Sequence, residues 1–298
     1  MLAGLRHFRR IITVARILAR HDALFPLERA GLPRVFTGLL RIVLLAPRKS
    51  GVRQIRPGER LTLAMTALGP AFVKLGQALS VRPDLVGDTL ADDLRSLQDN
   101  LPAFSGAQAR TIVETELNGT IEDLFGSFDD TAIAAASIAQ VHKATTPDGD
   151  AIAVKLLRPG IEAAFARDLD LALWAAQRVQ NLRPELNRLR PVEAVQTIIR
   201  SVEMEMDLRF EAAAADELRQ NFEDDPTFSV PAVDWLRTGR RVMTTAWIDA
   251  TPMNEIDPDT EKLDRETIVA NFARAFFLQV FRDGFFHADL HPGNIFVD

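Results

Sequence analysis

Eight consecutive residues constrain the fold of this chain more than any other stretch of its sequence: His287-Ala288-Asp289-Leu290-His291-Pro292-Gly293-Asn294. Proline fixes φ and glycine tolerates tight turns, so Pro292 and Gly293 predict a bend. The bend allows the carboxylate of Asp289 to face a reacting group while the amide of Asn294, five residues later, turns back toward a metal ion. The octet therefore predicts a loop that carries chemistry.

The spacing of this loop, H-x-D-x-x-x-x-N, is that of kinase-type catalytic loops. In those loops the aspartate orients or deprotonates the attacking group, and the asparagine holds a magnesium ion. Phosphoryl transfer is therefore the leading prediction, with Asp289 as a catalytic residue and Asn294 as a metal ligand.

The octet alone leaves three other interpretations open. On a strand, the alternating His287, Asp289 and His291 would share one face and form the metal site of a hydrolase. A second interpretation gives Asp289 and Asn294 only the roles of helix cap and turn residue, without chemistry. The third is a small-molecule phosphotransferase of the aminoglycoside or choline kinase type, whose loop reads H-G-D-x-H-x-x-N.

Composition limits the class of protein. With 47% hydrophobic residues and a mean hydropathy near zero, the 298 residues are predicted to form a packed globular protein. The absence of cysteine excludes disulfide bonds and thiolate metal sites. We find no run of 18 apolar residues that would predict a transmembrane helix, and no signal peptide at the amino end.

Charge is unevenly distributed along the chain. Residues 1–60 contain 13 Lys and Arg against 3 Asp and Glu, whereas residues 61–298 contain 22 against 38. Within the first segment, apolar residues at helical spacing alternate with five arginines: Arg6, Arg9, Arg10, Arg16 and Arg20. This basic amphipathic helix either packs on its own domain or docks on an anionic membrane surface. Basic and aromatic residues do not interleave, so no nucleic-acid partner is predicted.

The middle of the chain predicts helices followed by a hairpin. An apolar stripe over residues 61–79 predicts a helix interrupted at Gly69-Pro70, with Lys74 and Gln77 on another face. The turn signal at residues 147–150 then precedes a strand over 151–157, in which Lys155 faces away from the apolar positions. An alanine-rich loop, 134–140, comes before that strand.

The remaining segments complete a pattern of one small sheet and several helices. We expect a helix over 162–182, one long helix over 192–222, and two strands over 230–234 and 241–248. A helix over 262–282 leads into the octet. The predicted fold class is α+β: a kinase-like fold with an antiparallel-sheet amino lobe, a helical amino-terminal extension and an incomplete carboxyl lobe. Glu211 is the candidate partner of Lys155, because the alanines that follow it allow a close approach to the sheet.

Four ordered motifs make the chain resemble the UbiB/ABC1/ADCK/COQ8 family of atypical protein kinase-like proteins. They are K-x-G-Q at Lys74-Leu75-Gly76-Gln77, the alanine-rich loop at Ala134-Ala135-Ala136-Ser137, E-x-D at Glu205-Met206-Asp207, and the octet at His287–Asn294.

The resemblance implies an ATP- and Mg²⁺-binding protein that supports ubiquinone biosynthesis as an atypical kinase or ATPase. The residues that would contact the nucleotide are Lys74, Gln77, Ala134, Ala135, Ala136, Ser137, Lys155, Glu205 and Asp207, whereas Asn294 and Glu205 would reach the metal. Implied partners are a quinone-precursor lipid, other biosynthetic proteins and an anionic membrane surface. The implied location is the cytoplasm or, peripherally, the cytoplasmic side of the bacterial inner membrane.

The resemblance also divides the chain. Residues 1–60 are the basic region, 61–122 the helical extension with K-x-G-Q, 123–250 the amino lobe, and 251–298 the start of the carboxyl lobe. No D-F-G segment follows Asn294, so we expect a truncated chain that does not turn over ATP, although the family it resembles consists of ATP-dependent kinases or ATPases. A nucleotide-binding or scaffold fragment is the alternative. We expect Ile295-Phe296-Val297 to form a strand with an unpaired edge.

Overall fold

The computed structural model describes most of the chain: residues 2–25, 38, 42–44, 47, 49–81, 83–97, 102–182, 187–188, 190–253, 255–256, 264–288, 290 and 293–297. The chain forms two compact units. The first comprises residues 1–103, 134–140 and 158–203, and the second comprises residues 104–133, 141–157 and 204–298.

The helices, in chain order, are α1 (Leu2–Arg20), α2 (Pro57–Leu68), α3 (Pro70–Ser80), α4 (Pro83–Val86), α5 (Asp88–Arg95), α6 (Gly106–Leu117), α7 (Ile121–Leu124), α8 (Ile161–Leu182), α9 (Pro191–Glu205), α10 (Leu208–Asn221) and α11 (Arg265–Phe277). The strands are β1 (Ser127–Ala135), β2 (Ala139–Thr145), β3 (Ala151–Leu157), β4 (Val242–Ala246), β5 (Thr251–Pro252) and β6 (Phe296–Val297). Short 3₁₀ turns occupy Val52–Gln54 and Trp235–Arg237, and a π-helical turn occupies Leu278–Asp283.

The first unit is built from helices whose boundaries follow from local sequence. Helix α2 ends where Gly69 adopts φ +111°, and Pro70 opens α3 at its first position, where a missing N–H costs nothing. The predicted interruption is therefore confirmed. Apolar side chains of the helices and of the residues that follow α1 and α5 form one buried cluster: Ala23, Leu61, Ala64, Met65, Val73, Leu94 and Leu97.

Helix α1 is fastened to its own unit by charged side chains. The guanidinium of Arg10 donates to both carboxylate oxygens of Asp168, at 2.6 and 2.8 Å, and to the carbonyl of Leu68 at 2.9 Å. Asp168 is buried, so this ion pair is shielded from solvent. On the same side of the helix, Arg6 and His7 both contact Asp170. Part of the basic face therefore packs on the unit.

The second unit contains the sheet. Its strand order is β1-β2-β3-β4, and β3 pairs antiparallel with β4, with Lys155 opposite Met243. Helix α6 covers one face of the sheet, where Ile152, Val154 and Leu156 are buried. Lys155 alternates with them and stays partly exposed. These strands and helices confirm the predicted α+β fold class and the predicted orientation of the lysine.

Two local expectations are wrong. The helix predicted over 192–222 is two helices, because Asp207 adopts an extended conformation and caps the start of α10. Of the strand predicted over 230–234, only Val233 forms a bridge, to Thr245, since Pro231 lacks the N–H that a ladder requires. The strand predicted over 295–297 is observed as β6, which pairs antiparallel with β5 along one of its edges.

Helix α11 is tied to the segment that follows α10 through one carboxylate. Burial works against ionisation of Asp225, but hydrogen bonds from Thr227 and from the Arg274 guanidinium hold its pKa at about 2. A carboxyl pKa below its unfolded value of 3.8 stabilises the fold above that pH, and this stabilisation is lost as the pH falls toward 2.

We therefore expect Asp225→Asn to lower the free energy of unfolding at pH 6, and the difference from wild type to shrink below about pH 4. Chemical denaturation between pH 2.5 and 7 measures this, provided that the wild-type fold persists there. The exposed neighbour provides the control, because Asp224→Asn should have little effect at any pH. A difference that does not vary with pH would contradict this assignment.

Candidate functional site

The centre of the candidate site is an ion pair between the sheet and a helix. Lys155 of β3 donates from Nζ to Oε1 of Glu211 in the first turn of α10, at 2.5 Å. The lysine side chain is 32% exposed and the glutamate side chain 49% exposed. Exposed ion pairs contribute only about 0–1 kcal/mol to stability, so stability alone does not account for this geometry. The pair instead fixes the position of the Lys155 ammonium group, which is accessible to an anion from solvent.

Helix α10 is placed by contacts at its first turn. The carboxylate of Asp207 accepts hydrogen bonds from the backbone N–H and the guanidinium of Arg209, and these bonds lower the pKa of Asp207. The Leu208 N–H donates to the carbonyl of Arg240, just before β4, at 2.8 Å. Ala212, directly after Glu211, is completely buried. The small residue lets the helix come close enough for Glu211 to reach Lys155.

The segment leading into the octet is held by a buried glutamine. Gln279 lies in the π-helical turn after α11 and is completely buried. Its side-chain Oε1 accepts the N–H of His287 at 2.9 Å, and its carbonyl accepts the N–H of Phe285 at 3.1 Å. Gly284 ends the turn in the left-handed region at φ +63°. The start of the octet is therefore fixed by a residue that belongs to no predicted motif.

The octet itself is described only in part. Asp289, His291 and Pro292 lie outside the described residues, whereas Asn294 is described and exposed. The H-x-D-x-H metal interpretation therefore falls on undescribed positions. Among the residues that the structure describes, no group of three or more His, Asp or Glu side chains is arranged to hold a metal ion.

The K-x-G-Q motif lies on α3 in the first unit. Gly76 packs against the Leu97 side chain so closely that a Cβ would overlap its Cδ1. The Gln77 amide donates to the Leu97 carbonyl at 3.1 Å. Both residues therefore fasten α3 to the end of the α5 segment. Lys74 is half-buried on the same helix.

The alanine-rich segment 134–140 belongs to the first unit, and it comprises the end of β1, the turn at residues 136–138 and the start of β2. Ala134 and Ala136 are exposed, whereas Ala135 and Ser137 are partly exposed. The Ala136 N–H donates to the Ala139 carbonyl at 2.8 Å and closes the turn. In the E-x-D motif, Glu205 is the last residue of α9 and is partly buried.

A strand lysine that pairs with a helix glutamate beside a four-stranded sheet is the arrangement of a kinase-like amino lobe. A family model, the ABC1 atypical kinase-like domain, matches residues 96–298. The chain belongs to this family.

Named relatives agree with the family match. A protein from Marinobacter nauticus, named probable protein kinase UbiB, is 41% identical over 293 residues, which are 97% of this chain and 53% of that protein. A protein of the same name from Xylella fastidiosa is 43% identical over 242 residues, which are 81% of this chain and 44% of that protein. The chain spans about half the length of the curated relatives it matches.

A solved structure supports the kinase-like fold. The complex of Rv3197 with erythromycin, from Mycobacterium tuberculosis, aligns with a TM-score of 0.56 and 34% identity, and covers 74% of this chain and 55% of that one. No helix in the described part of the chain combines the length and the apolar character needed to cross a bilayer.

Proposed function

We propose that this chain carries the MgATP-binding part of a UbiB-type atypical kinase or ATPase that supports ubiquinone biosynthesis. The observation that carries the proposal is the half-exposed Lys155–Glu211 pair, because an oriented lysine on this strand is what such folds use to hold nucleotide phosphates. The names of the relatives support the connection to ubiquinone.

Each residue of the site has a role in this proposal. Lys155 contacts the phosphates and Glu211 orients it, while Asp289 orients or activates the attacking group. Asn294 and Glu205 hold the magnesium ion. Further nucleotide contacts come from Ala134, Ala135, Ala136, Ser137, Lys74, Gln77 and Asp207. The amide and carboxylate oxygens of the two metal ligands fit Mg²⁺, which prefers hard oxygen donors. When bound, the ion supplies positive charge to the phosphates.

An equilibrium titration with MgATP tests the proposal through Glu211. Glu211→Gln removes the charge that orients Lys155, and we expect the Kd for MgATP to rise about tenfold, the value of one charge-assisted hydrogen bond. Glu217→Gln is the matched control, because Glu217 is exposed and lies six residues further along the same helix. If wild type binds no MgATP, the proposed function fails. Equal affinities of wild type and Glu211→Gln for MgATP would show that the Lys155–Glu211 pair is not part of the nucleotide site.

We also propose that the protein acts at an anionic membrane surface on the cytoplasmic side, together with a quinone-precursor lipid and other biosynthetic proteins. The support for the membrane surface is the outer side of α1. Phe8 is 60% exposed and Ile11 38% exposed. Beside this apolar edge lie three exposed arginines that make no internal ion pair among the described residues: Arg9, Arg16 and Arg20. An apolar edge beside a cationic edge suits a helix that lies in the plane of a bilayer surface.

Liposome sedimentation tests this surface. Replacing Arg9, Arg16 and Arg20 by glutamine should weaken binding to anionic vesicles roughly a hundredfold, since each cation near the surface contributes about 1 kcal/mol. Wild-type binding should fall as salt is added. Exposed arginines elsewhere in the same unit provide the control: Arg95, Arg190 and Arg200, replaced together by glutamine. Equal sedimentation with neutral and anionic vesicles would refute the proposal that this side of α1 binds anionic membranes.

A further inference from the structure

Arg158, the residue after β3, holds the alanine-rich loop from the side. Its guanidinium donates twice to the carbonyl of Ala136, from Nε at 3.0 Å and from Nη2 at 2.8 Å. Nη1 donates to the carbonyl of Pro102 at 2.9 Å. The backbone N–H of Arg158 donates to the carbonyl of Ile138, also at 2.9 Å. Three of these four hydrogen bonds join Arg158 to the loop.

The geometry of the peptide bond extends this contact to the neighbouring residue. In a planar trans peptide the C=O of one residue and the N–H of the next point in opposite directions. The Ala136 carbonyl is turned toward Arg158, so the Ser137 N–H must point away from it. Because the Ala136 N–H is bound to the Ala139 carbonyl, both sides of Ala136 are held.

Charge strengthens this restraint. Hydrogen bonds from a guanidinium are stronger than those between neutral groups. Partial burial of Arg158 removes competing water and lowers its pKa. Rotation of the peptide between Ala136 and Ser137 would break both bonds to the Ala136 carbonyl and leave the guanidinium poorly solvated.

We propose that Arg158 is a positioning residue that restrains the alanine-rich loop, by fixing the peptide between Ala136 and Ser137 and with it the direction of the Ser137 N–H. The restraint follows from the loop contacts alone. Its consequence is that the loop N–H groups are less free to turn toward phosphates, which weakens the binding of MgATP. This consequence rests on the proposed function, in which the loop contacts the nucleotide. Alanine at position 136 and Arg158 then act together, since alanine disfavours φ above zero and the guanidinium holds the carbonyl.

The test combines hydrogen exchange with ligand titration of the 298-residue chain. Arg158→Gln should accelerate exchange of the Ala136 amide by roughly tenfold, because the turn that protects it loses its external support. Arg158→Lys keeps the charge but replaces three donor nitrogens by one, so we expect a smaller acceleration of exchange. This variant provides the test if the glutamine variant does not fold. Arg95→Gln, an exposed arginine of the same unit, should leave exchange unchanged.

Titrations with MgATP and with adenosine separate an effect on phosphate binding from an effect on binding of the whole nucleotide. We expect Arg158→Gln to lower the Kd for MgATP about fivefold and to leave that for adenosine unchanged, since only the triphosphate meets loop N–H groups. Ala136→Gly should also lower the Kd for MgATP. In the double variant, the increase in affinity should be smaller than the product of the two single increases.

Distinct results overturn the two parts of the proposal. Unchanged exchange at Ala136 in both variants would show that Arg158 does not restrain the loop, whatever the protein binds. Accelerated exchange with an unchanged or raised Kd for MgATP, or with an equal shift for adenosine, would overturn the role in phosphate binding. A wild-type chain that binds no MgATP would refute the proposed function and the phosphate role, and the exchange data would still decide the restraint.

Discussion

Replacing Gly76 with valine should lower the free energy of unfolding by about 3 kcal/mol, the upper end of the usual cost of overpacking. A Cβ at this position would overlap Cδ1 of Leu97 and lie 2.9 Å from Sδ of Met65. Leu97 and Met65 are themselves buried, so neither side chain can move aside without disturbing the cluster around it. The glycine of K-x-G-Q is therefore required for packing.

Chemical denaturation followed by circular dichroism measures this loss. Gly4→Val is the matched control, because Gly4 also lies in a helix of the first unit but has nothing within 4 Å of the position that a Cβ would occupy. We expect a change well below 1 kcal/mol there, since valine is a better helix former than glycine. A fully stable Gly76→Val protein would mean that α3 does not pack against Leu97 as described.

Replacing Lys155 with methionine should raise the Kd for MgATP about a hundredfold, because a charged donor to the phosphates is lost entirely. The variant should remain folded, since the Lys155–Glu211 pair is half-exposed and contributes little to stability. Methionine keeps most of the length of the lysine stem on β3. The prediction therefore separates nucleotide binding from folding.

Titration and thermal unfolding of the same samples measure the two quantities. Lys143→Met is the control: Lys143 is on the neighbouring strand β2, where its Nζ lies 4.3 Å from the centroid of the Trp247 ring. We expect a change of less than about threefold in its Kd. Equal losses of affinity in both variants would point to general electrostatic attraction and not to a phosphate-binding lysine.

Several features of the candidate site could be predicted because they follow from local patterns. Alternation along β3 places Lys155 opposite the buried side chains, as the period of a strand requires. The alanines after Glu211 indicated a helix that approaches the sheet, and the structure brings the two charges together. The interruption at Gly69-Pro70 was equally local.

Other features depend on contacts between distant residues, which local patterns do not contain. The pairing of β6 with β5 joins two-residue strands too short to show any periodicity. Arg158 and Gln279 carry no motif of their own, and their roles appear only when their partners are known. Asp207 carries a local signal, since aspartate is a common helix cap, but the residues around it equally fit one continuous helix.

The most direct test of the central claim is to ask which lysine meets the phosphates of bound ATP. An acyl-phosphate derivative of ATP transfers its acyl group to a nearby amine, and peptide mass spectrometry identifies the modified residue. The sequence offers five lysines: Lys49, Lys74, Lys143, Lys155 and Lys262. We predict preferential acylation of Lys155 that excess MgATP suppresses. Acylation of Lys155 no greater than that of Lys49, Lys143 and Lys262, or insensitive to MgATP, would contradict the proposal that this strand lysine binds nucleotide phosphates.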